Sequence, residues 1–257
     1  MCSTNTNFDI DKTCFSHSSL KKIAKAYTNY TNDPINLNQP KSSLLKDIKT
    51  KISHCGEYSI NGDLCIKNLP YIQKLKDKEI EYFTFKPHRY DNGEMLTSLD
   101  IENVINQLEK SNRNFKFLNA VPIDVYNPKI ARQYLKHTNI HKLISKYSYI
   151  SIVFNLDPHY MDGSHWVCIF IDVKNKEIEY FDSMGRKMPS SIKLFLDNLK
   201  LNFEIKNKNK KIQGYNSNCG VYCIYFIEQR LKGKSYENII NNVNDEIIEN
   251  MKNKYFL

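Results

Sequence analysis

The sequence predicts an α+β fold preceded by a helical N-terminal extension. Three observations carry that expectation. Apolar residues recur at helical spacing in segments such as TSLDIENVINQLEK, residues 97–110. Runs rich in β-branched and aromatic residues, such as YISIVFNLD at 149–157, have the length and content of buried strands. The two patterns alternate after about residue 95 with no repeat or low-complexity linker, whereas residues 1–85 are polar and show only short helical patterns. The expected organisation is an extension over 1–85, of no assignable role, and one catalytic-sized domain over 86–257.

In the extension, LKKIAKAYTNY (20–30) and LPYIQKLKDKEIEYF (69–83) read as helices. Thr97 and Asp100 fit a capping box, and Ile101, Val104, Ile105 and Leu108 form the apolar stripe of the helix it opens. FKFLNAVPIDVY (115–126) reads as a strand with its exit turn, and Asn127 before Pro128 starts a helix over PKIARQYLKH. YISIVFNLD is the next strand. HWVCIFIDV and EIEYFDS are two strands joined by the turn KNK at 174–176, and MPSSIKLFLDNLK continues as a helix after Pro189. NFEIK (202–206) resumes a strand, and QGYNSNCGVYCIYFIEQRL (213–231) passes from a Gly, Asn and Ser turn into an apolar helix.

At 257 residues and 30.3 kDa, with 41% hydrophobic and 12% aromatic residues, the chain can bury a sizeable core and is not a disordered segment. The balance of 37 Lys and Arg against 28 Asp and Glu, +9, favours anionic surfaces, so nonspecific DNA or another acidic partner is an expectation. The densest basic run, KNKNKK at Lys206 to Lys211, holds no aromatic residue to stack on bases and reads as a solvated loop. Seven scattered cysteines in a chain of this size predict free or structural thiols and a reducing, intracellular compartment. Cys55, Cys65 and His54 lack the fourth ligand and the local spacing of a zinc site. No secretory signal and no membrane span are expected.

The hairpin places chemistry at its open end. Antiparallel partners meet at the ends away from the turn, so His165 and Asp182 should be neighbours. An Asp accepting from one imidazole nitrogen would fix the tautomer and leave the other nitrogen as a base. Cys219 stands where the turn becomes a helix, and a thiol there feels the positive end of the dipole and becomes a nucleophile beside an imidazolium. Gly220 would let a substrate backbone approach, and Gln213 can supply an oxyanion donor beside the Cys219 N–H. Cys223, one turn after Cys219, is expected in the core. Cys168 shares a strand face with Trp166, opposite His165, and is expected to be structural. His88, His137, His141 and His159 have no evident partner and are expected at the surface.

The order HW at 165–166, DS at 182–183 and Q-x5-C-G-x-Y-C at 213–223 resembles the C48-type cysteine proteases, the clan of SUMO proteases and the adenovirus endopeptidase. The resemblance spans about residues 95–235. Within the clan the chain looks most similar to the virion polyprotein proteases of large DNA viruses, such as that of African swine fever virus, although members of that group often carry Asn where this chain has Asp182. The resemblance implies a papain-like core with a central, mostly antiparallel sheet flanked by helices. It also implies Cys219 as nucleophile, His165 as general base, Asp182 as its orienter and Gln213 as oxyanion donor. Trp166 would line a narrow channel admitting small residues, with cleavage after Gly-Gly type sites and without metal or organic cofactor. The implied task is maturation of viral structural polyproteins in host cytoplasm and virion, by a chain acting as a monomer.

Three alternatives share these residues. One is a deconjugating protease that removes SUMO-like or ubiquitin-like modifiers. A Cys-dependent acyltransferase is the second, and a noncatalytic binding module that retains the constellation is the third.

Overall fold

A computed structural model describes Cys2 and residues 12–56, 58–87, 95–135 and 138–256, apart from the side chains at 60, 82 and 83. His88 and His137 lie outside the described residues. The chain divides into two compact units, Met1–His88 with Tyr255–Leu257, and Arg89–Lys254.

The first unit is helical: α1 (His17–Thr31), α2 (Lys41–Lys51), α3 (Ile60–Lys67) and α4 (Pro70–Gln73). Ser16 caps α1 by accepting from the Ser19 N–H, and Leu20, Ile23 and Ala24 bury its apolar stripe against Leu44, Leu45 and Ile48 of α2. The 69–83 run is not one helix. Asp77 Oδ1 accepts from the N–H groups of Glu79 and Ile80, 3.0 and 3.2 Å, so the acid acts as a cap and starts a separate helical turn at Glu79–Phe83.

The cysteines of this unit are not free thiols. Cys2 is bonded to Cys14 and Cys55 to Cys65, because the fold brings their Cα atoms to 5.1 and 5.4 Å. A chain of 257 residues needs no disulfides as a whole, but this small unit has its own limited core. The inference of a reducing compartment rested on unpaired cysteines, and the two disulfides remove that support. The free cysteines Cys168, Cys219 and Cys223 are all in the second unit and all buried.

The second unit is a five-stranded sheet in the order β1 (Phe115–Pro122), β2 (Tyr149–Asn155), β3 (Trp166–Asp172), β4 (Glu177–Phe181) and β5 (Glu204–Asn207). Its helices are α5 (Ser98–Ser111), α6 (Pro128–Leu135), α7 (Ile140–Ile144), α8 (Ser190–Asn198), α9 (Cys219–Leu231), α10 (Tyr236–Asn242) and α11 (Asp245–Tyr255). The antiparallel character is confined to the middle of the sheet. β2–β3 and β3–β4 are antiparallel, whereas β1–β2 and β4–β5 are parallel. Each parallel pair is joined by a helical crossover, through α6 and α7 or through α8, and a crossover returns the chain in its original direction.

The β3–β4 turn is held by Asp172, which accepts from the Asn175 backbone and side-chain amides at 3.1 and 3.0 Å. It sets the register in which Asp172 pairs with Glu177 and Cys168 with Phe181. One face of the sheet, with Ile169, Ile171, Ile178 and Tyr180, packs with Ile192, Phe195 and Leu196 of α8. The other receives α9: Phe226 stacks on Phe181 at 4.4 Å, and Arg230 lies over Phe170 and binds Glu179 at 2.7 Å. The capping box of α5 forms as expected, with Thr97 and Asp100 each satisfying the other's backbone N–H.

Lys206 lies in β5 and pairs with Glu177 at 2.5 Å, while Lys208 and Lys210 reach Glu237 and Asn241. The basic run is therefore partly strand edge with ion-paired side chains, not a free loop. His159 also has a partner: its Nδ1 meets Asp124 Oδ2 at 2.6 Å. His141 is exposed.

Candidate active site

The hairpin brings His165 Nε2 to 2.6 Å from Asp182 Oδ1, both side chains buried. Cys168 pairs with Phe181, so Asp182 falls opposite Val167 and reaches His165 on the diagonal. The Asp182 carboxylate is fixed by its own backbone: Oδ1 also accepts from the Met184 N–H at 2.8 Å and Oδ2 from the Arg186 N–H at 3.2 Å. With Nε2–H donating to Asp182, Nδ1 is left for Cys219, whose side chain is near enough to act on the His165 charge. Burial alone would lower the His165 pKa. The hydrogen bond to Asp182, the interaction with Cys219 and the negative charge of both outweigh it and raise the value to about 9.

Cys219 is the first residue of α9, a helix buried along nearly its whole length. Its Sγ is buried beneath Met95, whose Sδ is 3.7 Å away. Gly220 does not face a substrate groove. A Cβ there would sit 3.0 Å from Leu96 Cβ and 3.3 Å from Ile101 Cδ1, so the missing side chain admits α5 and the segment before it. Leu96 is tied down by Trp166, whose indole N–H donates to the Leu96 carbonyl at 2.7 Å. Trp166, Met95 and Leu96 line one end of a cleft of about 500 Å³.

Gln213 is buried in the turn before α9. Its side-chain carbonyl accepts from Ser183 Oγ at 2.6 Å, and its amide nitrogen donates to the backbone and side-chain oxygens of Asn216 at 2.8 and 3.0 Å. The Ser183 carbonyl also accepts from the Ile212 and Gln213 N–H groups. Asp245 anchors the same turn, accepting from Gly214 N–H, Asn216 Nδ2 and Tyr222 Oη at 3.0, 2.7 and 2.9 Å.

Ser183, Asn216, Asp245 and Met95 were not singled out from sequence. Ser183 follows Asp182 in the DS motif, the one signal that could have marked it; the others are positioned only by tertiary structure. Cys168 and Cys223 touch each other under α9, and burial first, then that contact, pushes the Cys223 thiol well up. A neutral buried thiol is a packing group. Among the described residues no cluster of metal-ligating side chains occurs, and no helix is long and apolar enough to cross a membrane.

A model of the Ulp1 protease family C-terminal catalytic domain matches residues 103–257. The protein R355 of Acanthamoeba polyphaga mimivirus, assigned as a thiol protease, is 30% identical over 96% of this chain and 89% of its own length. An African swine fever virus protein described as a SUMO-1 cysteine protease is 22% identical over 77% of this chain and 93% of its own. The crystal structure of the selenomethionyl African swine fever virus protease superposes with a TM-score of 0.67 at 20% identity, covering 100% of this chain and 95% of that one. The family model spans more than half of the chain and the mimivirus relative is 30% identical over nearly all of it, so the chain belongs to the Ulp1 protease family of cysteine proteases.

Proposed function

We propose that this cysteine protease is an endopeptidase that cleaves after Gly-Gly type sites and matures viral structural polyproteins during particle assembly. The observation that carries the chemistry is the join of His165 to Asp182 at 2.6 Å on one side and to the Cys219 side chain on the other. Cys219 thiolate attacks the scissile carbonyl, and the carbonyl oxygen takes up negative charge. His165 gives its proton to the leaving amine as the tetrahedral adduct collapses to a thioester. Water, deprotonated by His165, then hydrolyses the thioester and returns the thiolate.

The oxyanion is met by the Cys219 backbone N–H and by Gln213 Nε2, with Ser183 holding the Gln213 carbonyl so that the amide nitrogen faces away from it. Since Nε2 donates to Asn216 in the resting state, the oxyanion takes over a donor that Asn216 gives up. The selection for small residues is supported by the buried Trp166 and by Met95, whose Sδ rests 3.7 Å from the Cys219 Sγ. Maturation in a virion is supported by the viral relatives alone. The charge of +9 supports retention beside DNA or another acidic partner, by surfaces other than the run in which Lys206 and Lys208 are ion-paired.

A second reading, removal of a SUMO-like modifier, is favoured by the description of the African swine fever virus relative. The test incubates wild type and Cys219→Ala with an internal Gly-Gly peptide and with SUMO and ubiquitin C-terminal fluorogenic conjugates. Cleavage of the peptide alone, lost in the variant, supports the endopeptidase. Preference for a conjugate supports deconjugation, and cleavage of neither sinks both.

A further inference from the structure

The cleft that begins at Met95 and Trp166 continues along the ends of β1 and β2 to the loop between β2 and β3. Its lining contains Asp157 and Asp162 and, among the described residues, no lysine or arginine. In a chain of charge +9 that is an inverted local sign. Among the described residues no side chain bonds Asp157 or Asp162. The imidazole there, His159, already meets Asp124. The positive element at this wall is the N-terminus of α5, and Asp100 in its capping box offsets it.

The loop that carries the two acids is built, not loose. The Leu156 N–H donates to the His165 carbonyl at 2.9 Å, the Asp157 N–H to Asn155 Oδ1 at 3.0 Å, and the His159 N–H to Asp124 Oδ1 at 3.1 Å. Gly163, at φ +100, closes it so tightly on Asn155 that a Cβ would lie 2.1 Å from Nδ2. On this fixed frame Tyr160 and Met161 stand 76% and 55% exposed, an apolar lip beside the acids. Carboxylates without a described partner on a hydrogen-bonded wall, next to exposed apolar side chains and in a cleft that includes Met95, which touches the Cys219 Sγ, suit a basic peptide segment.

We propose that Asp157 and Asp162 select substrates that carry a lysine or arginine in the segment preceding the small residues at the scissile bond. The inference rests on the endopeptidase reading, because it takes the cleft as the path of the substrate chain on its way to Cys219. The basic side chain lies between the two carboxylates while its stem packs on Met161. Two solvent-accessible pairs contribute modestly each, so the expected preference is about three- to tenfold and shrinks with salt.

The experiment uses Gly-Gly peptides with Arg, Ala or Glu placed in turn three, four and five residues before the cleavage point. Cleavage by wild type gives kcat/KM for each. Fluorescence anisotropy of the same peptides on Cys219→Ala gives affinity without turnover, so that failure of the cleavage reading and failure of this inference are read separately. At one or more positions Arg should exceed Glu by at least about threefold in both measurements at low salt. Asp157→Asn combined with Asp162→Asn should bring that ratio close to one. Equal affinity for Arg and Glu at every position, no measurable binding of any peptide, or a ratio that survives the double substitution overturns it.

Discussion

The Ser183 hydroxyl donates to the Gln213 side-chain carbonyl at 2.6 Å, while its chain neighbour Asp182 holds His165 at the same distance. Two consecutive residues at the end of one strand thus hold the proposed base and the proposed oxyanion donor. Ser183→Ala is expected to lower kcat about tenfold with KM nearly unchanged, and Gln213→Ala about a hundredfold. Because Ser183 acts through Gln213, the double variant should be no slower than Gln213→Ala. Additive losses in steady-state kinetics would show that Ser183 acts on its own.

The raised His165 pKa sets an alkaline limit. The imidazolium supplies the proton to the leaving amine, so kcat/KM should fall as pH rises through about 9. Asp182→Asn keeps the hydrogen bond and removes the charge, which moves that limb to lower pH with about tenfold loss or less; Asp182→Ala should cost about a hundredfold or more. A pH–rate profile unchanged by Asp182→Asn would count against the carboxylate as the cause.

The same group links stability to pH. Its folded pKa of about 9 lies above the unfolded value of about 6.5, so its stabilisation is complete below about pH 6.5 and is lost as pH rises through 9. The urea midpoint should fall across that window, and by less in Cys219→Ala, where the thiolate contribution is gone.

Met95 covers the nucleophile. Met95→Ala should accelerate alkylation of Cys219 by iodoacetamide several-fold at fixed pH, with the His165-dependent pH profile of the alkylation rate retained. An unchanged rate would mean that the methionine does not restrict access.

Arg230 joins the end of α9 to the sheet through Glu179 at 2.7 Å, with Asp172 at 3.6 Å. Burial already raises the Glu179 pKa, and Arg230 partly offsets it. Arg230→Ala leaves a buried carboxylate alone and should cost about 3 to 5 kcal/mol in denaturant unfolding, whereas Arg230→Ala with Glu179→Gln should recover part of that loss.

What the sequence made legible was local. His165 and Asp182 are linked by a short hairpin whose turn residues are readable, and Cys219 stands where a polar turn becomes an apolar helix. What it hid depends on segments far apart in the chain. Ser183 and Gln213 are 30 positions apart, and Met95 and Cys219 are 124 apart. Gly220 looked free because nothing near it in sequence shows that Leu96 packs there. The outer parallel pairings were missed for a related reason: strand patterns are alike in either direction, and only the path of the crossover decides. Cysteine spacing likewise carries no connectivity, so both disulfides became visible only with the fold.

The exposed turn between Asp172 and Glu177 acts as a length gauge for the catalytic pair. The Lys174 side chain faces solvent and could be exchanged for others at little cost, whereas Asn175 bonds Asp172 and Lys176 stands at φ +54. The turn's residue count is another matter: one residue more or fewer would slide β4 along β3 and turn Asp182 to the opposite side of the sheet from His165. A loop remote from the nucleophile is thus fixed in number as well as in its Asn175 contact, and an insertion there could abolish activity while leaving every active-site residue in the sequence.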